Sequence, residues 1–356
     1  MSVLLYKGGL RLVEKSGVGQ AIFHQEEMLS AAKLPAAAGW RDSPDVIHLN
    51  TVLPDSVLAA LTAKCLGKKV VYYGHSTQED FRNSFHGSNL LASLFRRWIK
   101  FCYSLGDVVI TPTEYSKTLL ESYGLRRPIC ALSNGVDTDF FAPNPERGQA
   151  FRQKYGISPE EKVVISVGHY IERKGILEFL EVAKRFPDVR FLWFGHTNLN
   201  LIPQIVQEAV AAPPENVLFP GFVDRSDLRD AYCGADAFLF LSKEETEGIV
   251  VLEALACAVP TIVRDIPVYS GWLRDGENVY QIREDSETPG LLSRLLEGKL
   301  PDLTDAGRQT ALDRSLGTIG DRLKQVYQSQ NLLEKAKSPT PSPRVRRWRS
   351  FLPKNA

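Results

Sequence analysis

Residues 237–254, which read AFLFLSKEETEGIVVLEA, combine the patterns that decide the fold of this chain. Ala237–Leu241 is continuously apolar, as expected of a strand in a parallel sheet that is covered on both faces. An acidic loop follows and ends at Gly248, and the apolar residues from Ile249 onward have helical spacing. A buried strand, a short loop and a helix form the repeating unit of an α/β protein.

The same unit recurs along both halves of the chain. The predicted strands of the first half are Val3–Tyr6, Val46–Leu49, Lys69–Tyr73, Val108–Thr111 and Ile129–Leu132. Those of the second half are Val163–Val167, Val189–Phe194, Val217–Phe219, Ala237–Leu241 and Thr261–Val263. The segments between them have helical spacing, so the pattern predicts an α/β fold with two doubly wound, Rossmann-like domains.

Length and proline positions divide the chain into four parts. A chain of 356 residues is long for one domain. Prolines 143, 145 and 159 interrupt the pattern between Phe141 and Glu161, where we place the seam. We predict domains at 1–145 and 146–317 and a helix at 318–334 that returns to the first domain. Residues 335–356 hold seven Lys or Arg and no acidic residue, which predicts a disordered basic tail.

Composition excludes several classes of protein. The formal net charge of +1 is not that of a general polyanion binder, and we predict no nucleic-acid partner. The five cysteines form no close pair, which argues against disulfides and a zinc site and favours a reducing cytosol. The apolar start of the chain is too short for a signal peptide, and no stretch reaches the roughly 20 apolar residues of a membrane span.

Ligands of parallel sheets bind beyond the carboxyl ends of the strands, so residues that follow strands are the site candidates. Gly17 and Gly19 open a helix and could present backbone N–H groups to a phosphate, although an ordinary tight turn explains them equally well. His75 follows a strand and could bind a sugar hydroxyl or transfer a proton. A lone histidine is more often a structural hydrogen-bonding group.

The second half offers charged candidates. Arg173 and Lys174 follow a strand, and two adjacent cations suit a diphosphate, although a solvated basic turn would look the same. Glu245 and Glu253 lie eight positions apart, on either side of the helix start at Gly248, Ile249 and Val250. That spacing lets both carboxylates face one ligand, and Glu253 could accept both hydroxyls of a ribose. Acidic capping of the helix is the alternative.

Five ordered motifs carry a resemblance over most of residues 1–330. They are Thr113–Lys117, Ser133–Asp137, Gly168 through Lys174–Gly175, Glu245 through Glu253–Ala254, and Pro260. Together they resemble retaining glycosyltransferase family 4, whose members have the GT-B fold of two Rossmann-like domains with an interdomain cleft. Glu245 and Glu253 match the E-x7-E motif of that family.

The resemblance implies a role for each candidate. Arg173 and Lys174 would bind the donor diphosphate, Glu253 the ribose and Glu245 the sugar ring. His75 would lie near the reacting centre, and Gly17 and Gly19 near the phosphates. The departing phosphate would accept the proton, with retention of configuration.

The same resemblance implies no cofactor and no metal, so we interpret Asp137-Thr138-Asp139 as part of a turn. Two positions depart from the family pattern. His169 stands where the family commonly has arginine, and Glu245-Thr246-Glu247-Gly248 replaces the usual Glu-Gly-Phe-Gly.

Within the family, three segments are similar to Gram-positive glycolipid hexosyltransferases: Lys15–Gly19, Glu244–Glu253 and Arg264–Tyr269. This similarity implies transfer from UDP-glucose or UDP-galactose to diacylglycerol or monoglucosyl-diacylglycerol. A soluble or cell-wall polysaccharide acceptor is one alternative. A non-catalytic nucleotide-sugar-binding protein is another.

Two segments favour contact with an anionic membrane. The Leu91–Leu105 helix has an apolar side with a tryptophan and an opposite side with cations, although its apolar side could instead pack on the sheet. The tail Arg344–Leu352 clusters cations with Trp348 and Phe351, although it could be merely solvated or attract nucleic acid. We therefore expect a cytoplasmic protein that is peripherally associated with the inner face of the cell membrane.

Overall fold

The computed structural model of the chain describes residues 2–10 and 16–332. Lys15 and the predicted tail, including Arg344–Leu352, lie outside the described residues.

The first sheet has five parallel strands in the order β1-β2-β3-β4-β5. The strands are β1 Val3–Leu5, β2 Val46–Leu49, β3 Lys69–Tyr73, β4 Val108–Thr111 and β5 Ile129–Ala131. The helices of this half are α1 Gly17–Ala31, α2 Pro54–Cys65, α3 Gln78–Phe81, α4 Ser88–Ser104 and α5 Glu114–Ser122. Because β2, β3 and β4 are buried along their whole length or nearly so, they read as continuous apolar runs and were predictable.

The second sheet has six parallel strands in the order β11-β10-β9-β6-β7-β8. The strands are β6 Lys162–Val167, β7 Val189–Phe194, β8 Val217–Gly221, β9 Ala237–Phe240, β10 Thr261–Arg264 and β11 Tyr280–Ile282. The helices are α6 Pro145–Lys154, α7 Ile176–Ala183, α8 Gln204–Ala211, α9 Arg225–Gly234, α10 Ile249–Ala256, α11 Thr288–Leu296 and α12 Thr304–Leu312. Two parallel, helix-covered sheets confirm the predicted α/β class with two Rossmann-like domains.

The predicted seam contains a helix of the second domain. The side chain of Asn144 accepts a hydrogen bond from the backbone N–H of Arg147 and caps α6, and Pro145 occupies the first turn. Proline is well tolerated there because the first N–H groups of a helix have no intrahelical partner. The helix packs against α9, so the boundary placed between residues 145 and 146 falls inside its first turn.

The last described helix, α13 (Leu316–Ser329), packs against α1 of the first domain. Its side chains Leu316, Ile319, Leu323 and Tyr327 are buried in a cluster with Val3 and Met28. The chain therefore crosses between the domains twice, and the crossings are bonded to each other through Val136 and residues 314–316. A returning helix was predicted at 318–334. The observed helix begins at Leu316, two residues before the predicted start.

The sequence interpretation missed β11, an edge strand of only three residues. Its middle residue, Gln281, is polar, so no apolar run marks it. Within residues 2–10 and 16–332, none of the helices has the length and apolar character needed to cross a bilayer.

Candidate active site

The carboxyl ends of the two sheets face a shared cavity of about 420 Å³. The first domain contributes the residues after β3 and the start of α1. The second contributes the residues after β6 and β9 and the start of α10. A cavity at this edge of two doubly wound sheets is where the topology places a ligand.

His75 lies one residue after Gly74 at the end of β3 and lines the cavity. Its Nε2 atom is 3.1 Å from Oδ1 of Asn50, and its ring stacks on Tyr73 with centroids 4.6 Å apart. Burial, with His48 nearby, lowers the pKa of His75 to about 3. The imidazole is therefore neutral at physiological pH and can offer a ligand hydrogen bonds but no charge.

Arg173 lies in a single turn of 3₁₀ helix after β6, and its side chain reaches across the cleft. Its Nη1 atom is 3.0 Å from Oδ1 of Asp80, and its Nε donates to Oγ of Ser84 at 3.2 Å. It also donates to the carbonyl oxygen of Glu244. The guanidinium is almost fully buried, and the partners from the first domain hold it against that domain.

Lys174 and Glu245 form a buried ion pair beside Arg173. The hydroxyl of Ser242 donates to the same Glu245 oxygen at 2.6 Å. Although burial by itself would raise the pKa of Glu245, Lys174 and Arg173 bring it below its ordinary value. Glu245 therefore stays ionised at the floor of the cavity.

The first turn of α10 also lines the cavity. Gly248 precedes the helix with φ of 90°, a left-handed conformation that favours glycine, and the backbone of Ile249 and Val250 begins the helix. Glu253 lies one turn further on and accepts a hydrogen bond from the hydroxyl of Tyr232 at 3.2 Å. Burial raises the pKa of Glu253 to about 7, against the opposing effects of Arg225 and Tyr232.

The two glycines near residue 17 take different places. Gly17 begins α1 and lines the cavity, whereas Gly19 is buried within α1 and is not among the described lining residues. His169 also lines the cavity, with Nδ1 3.0 Å from the carbonyl oxygen of His196. The proposed roles of all these site residues stay predictions.

No three His, Cys, Asp or Glu side chains within residues 2–10 and 16–332 are grouped so as to hold a metal ion. Asp137, in the Asp-x-Asp segment, accepts a hydrogen bond from the N–H of Phe140 at 2.9 Å and lies 3.6 Å from Arg225. Its carboxylate thus stabilises the turn in which it lies by accepting this hydrogen bond.

Comparisons with known proteins agree with this geometry. Residues 21–140 match the model of Glycosyltransferase Family 4, and residues 148–302 match that of Glycosyl transferases group 1. The chain is 39% identical to the processive diacylglycerol alpha-glucosyltransferase of Acholeplasma laidlawii over 331 residues, which cover 92% of this chain and 98% of that protein. It belongs to glycosyltransferase family 4.

A second sequence relative and a solved structure are also similar to this chain. This glycosyltransferase is 24% identical over 296 residues to the alpha-galactosylglucosyldiacylglycerol synthase of Streptococcus pneumoniae, covering 82% of this chain and 77% of that one. The structure of HepE from Anabaena in complex with UDP-glucose superposes with a TM-score of 0.72 at 17% identity, over 92% of this chain and 100% of that one. The predicted family and GT-B fold are confirmed.

Sequence reasoning missed a second set of cavity residues in the glycosyltransferase. Asp80 and Ser84, which hold Arg173, lie in a polar segment without a motif. Glu247 accepts hydrogen bonds from the backbone N–H and the side-chain amide of Asn134, at 2.9 and 2.7 Å, and so links the domains. Burial raises the pKa of Glu247 to about 7, although hydrogen bonds from Ser133 and Asn134 oppose the rise. The departure from the family pattern at residue 247 was the one feature of the sequence that could have identified Glu247 as a cavity residue.

Helix α4 of the glycosyltransferase packs part of its apolar surface on the sheet and leaves another part exposed. Ala92, Ile99, Cys102 and Tyr103 are buried against the sheet. A neighbouring stripe remains exposed, with Leu90 at 89%, Leu94 at 63% and Trp98 at 37% of full exposure. Phe95, between these residues, lines the cavity and stacks on Phe81 with ring centroids 4.2 Å apart. The exposed stripe therefore leads into the cleft.

Proposed function

We propose that this glycosyltransferase moves glucose or galactose from UDP-glucose or UDP-galactose to diacylglycerol or monoglucosyl-diacylglycerol, with retention of configuration. The likeness over nearly the whole length to a protein named as a diacylglycerol alpha-glucosyltransferase carries the proposal. The S. pneumoniae relative, named for a galactosylglucosyl lipid, supports an acceptor that already bears a sugar.

The donor side of the proposal rests on the charged residues of the second domain. Arg173 and Lys174 bind the diphosphate and stabilise the negative charge that grows on it as the sugar leaves. Glu253 accepts the ribose hydroxyls, and Glu245 contacts the hexose. The uridine base is proposed from the family resemblance and from the UDP-glucose named for the HepE complex.

The chemistry proposed for the transfer needs no separate base in the chain. The acceptor hydroxyl attacks on the face from which the diphosphate departs, and a phosphate oxygen takes its proton. UDP-hexoses carry an α-linked sugar, so the product named alpha for the A. laidlawii relative is consistent with retention. His75 is neutral, so in this scheme it orients a hydroxyl by hydrogen bonding.

The membrane part of the proposal rests on α4. Leu90, Leu94 and Trp98 expose apolar surface next to Arg96, Arg97 and Lys100, which are also exposed. Apolar side chains flanked by cations suit the interface of an anionic membrane. Binding there at the inner face of the cell membrane would bring the cleft to a lipid acceptor without a membrane span.

A turnover assay tests the proposal. Each of UDP-glucose and UDP-galactose is incubated with diacylglycerol or monoglucosyl-diacylglycerol in mixed anionic vesicles, and lipid products are separated and their anomeric configuration read by NMR. We expect an α-linked product from at least one pairing. Transfer to a soluble glycan, with no lipid product from any pairing, would overturn the lipid acceptor while leaving the family intact.

A further inference from the structure

Two nitrogen atoms of the Arg173 side chain, Nε and Nη1, are engaged by protein groups. Asp80 supplies a carboxylate at 3.0 Å, Ser84 a hydroxyl at 3.2 Å, and Glu244 a backbone carbonyl. Asp80 and Ser84 belong to the first domain, and the Ser84 hydroxyl donates in turn to the carbonyl oxygen of Asp80 at 2.8 Å. Two side chains of the segment 80–84 thus contact the cation of the opposite domain, and a hydrogen bond from the Ser84 hydroxyl to the Asp80 backbone links the two residues.

These contacts conflict with the role of Arg173 as a phosphate ligand. One guanidinium cannot give the same N–H groups to Asp80 and to a diphosphate, and an anionic phosphate beside the Asp80 carboxylate would be repelled. A diphosphate that binds at Nη1 of Arg173 would therefore displace Asp80. Until then the carboxylate keeps the buried guanidinium charge compensated.

Asp80 lies where an acceptor would approach. It lines the cavity together with His75 and with Phe81, whose ring stacks on Phe95 of α4. About a third of its side chain is exposed, whereas Arg173 is almost fully buried. A carboxylate next to aromatic rings is a suitable environment for the hydroxyls of a glycerol or hexose head group, which hydrogen bond at their edges and pack by their apolar faces.

We propose that Asp80 couples the two substrates of the reaction. In the free enzyme it holds Arg173; when the donor diphosphate takes Arg173, the freed carboxylate accepts a hydrogen bond from an acceptor hydroxyl. The acceptor then binds well only after the donor. This inference rests on the proposed function for the identity of the acceptor, but not for the competition at Arg173.

The variant Asp80→Asn tests both halves of the proposal, because it keeps the shape of the side chain and removes its charge. UDP binding is measured by calorimetry without acceptor. We expect affinity to rise about fivefold, because a competing internal ligand no longer reduces the binding-competent fraction. Transfer is then measured with the acceptor that the wild-type enzyme uses. There we expect the acceptor KM to rise about tenfold, because a charged hydrogen bond is lost.

Two variants separate this mechanism from simpler effects. Glu79→Gln removes one negative charge from the same short helix, but Glu79 binds the hydroxyl of Tyr123, so UDP affinity and acceptor KM should not change. Ser84→Ala removes an uncharged ligand of Arg173 and leaves the Asp80 carboxylate in place, so UDP affinity should rise less than in Asp80→Asn while the acceptor KM stays the same.

Each result has a defined meaning. Unchanged or weaker UDP binding in Asp80→Asn would overturn the competition at Arg173. Tighter UDP binding with an unchanged acceptor KM would overturn the acceptor role. An equal gain of UDP affinity in Glu79→Gln would assign the effect to general electrostatics and also overturn the proposal. Failure of the proposed function is seen separately, as a wild-type enzyme that uses no lipid acceptor.

Discussion

The two sides of the cleft differ in how they handle buried ionisable groups. The first domain buries histidines: the pKa of His75 and of His48 falls to about 3, and that of His24 to about 4, chiefly because burial disfavours the charged form. The second domain buries carboxyl groups, and burial raises the pKa of Glu247 and Glu253 to about 7. The cations that line the cavity, Arg173, Lys174 and Arg225, also come from the second domain.

This difference matches the chemistry of two unlike substrates. In the proposed reaction a sugar nucleotide would bring negative charge, and the second domain offers it cations and carboxyl groups that can accept hydroxyl hydrogen bonds. An acceptor would bring a neutral hydroxyl on an apolar body, and the first domain offers it a neutral imidazole, aromatic rings and the carboxylate of Asp80. In the proposed reaction the second domain would supply most of the charged contacts and the first domain mainly neutral ones, with Asp80 as its charged group.

The variant Glu245→Gln has the largest expected effect among the tests of this difference between the domains. Loss of the ionised group beside Lys174 should lower turnover about 100-fold or more, while UDP still binds. Steady-state rates and UDP calorimetry measure the two quantities. Glu178→Gln is the matched control, because Glu178 pairs with Lys243 at 2.6 Å and does not line the cavity. Turnover that stays at the wild-type level would remove Glu245 from the mechanism.

The neutral side is tested by His75→Phe, which keeps a ring on Tyr73 and removes the polar nitrogens. We expect turnover to fall about 10- to 100-fold, with no change in UDP affinity. Because the pKa of His75 is about 3, the wild-type rate should show no inflection from this group near neutral pH. His86→Ala, in an exposed loop, serves as control. A weaker UDP affinity in His75→Phe would contradict this difference between the domains.

Acidification should change the stability of the two domains in opposite directions, lowering that of the first and raising that of the second. A buried histidine with a lowered pKa contributes stability above its ordinary value of 6.5, and this is lost as pH falls towards 3 or 4. A carboxyl group with a raised pKa contributes stability below its ordinary value of 4.5, and this is lost as pH rises through about 7.

Hydrogen exchange at about pH 7 and about pH 5, corrected for intrinsic rates, measures this effect domain by domain. Protection should fall in β3 and rise in α10 on acidification. If protection changed in the same direction in β3 and α10, the buried histidines and carboxyl groups would not be what sets the pH dependence of stability in their domains.

The smallest expected effect concerns the exposed stripe of α4. Leu94→Ser removes an exposed apolar side chain and should lower partitioning onto anionic vesicles about three- to tenfold, measured by sedimentation. Leu66→Ser, at an exposed leucine just after α2, should have no effect. Equal losses in the two variants would argue against a specific membrane face.

The sequence allowed prediction of the fold because most strands of both sheets are buried and mark themselves by apolar runs. Arg173, Lys174, Glu245 and Glu253 were found because they follow strands and belong to a spaced motif. Asp80 was not found, because its importance depends on Arg173, 93 positions away and in another domain. Contacts across a cleft depend on how the two domains are placed against each other. The local hydrophobic periodicity of the sequence, which predicts strands and helices, carries no information about that placement. The helix α6 was not predicted, because a proline in the first turn of a helix looks like a proline in a linker.

The return of α13 to the first domain also has a consequence for biosynthesis. The core of the first domain includes Ile319, Leu323 and Tyr327, which leave the ribosome only after every strand of the second sheet. Domains usually fold in the order of their synthesis. Here the second domain is fully translated while the first still lacks one of its covering helices. The nascent chain therefore finishes its first domain last, and a truncation before residue 316 would leave a hydrophobic face of that domain open.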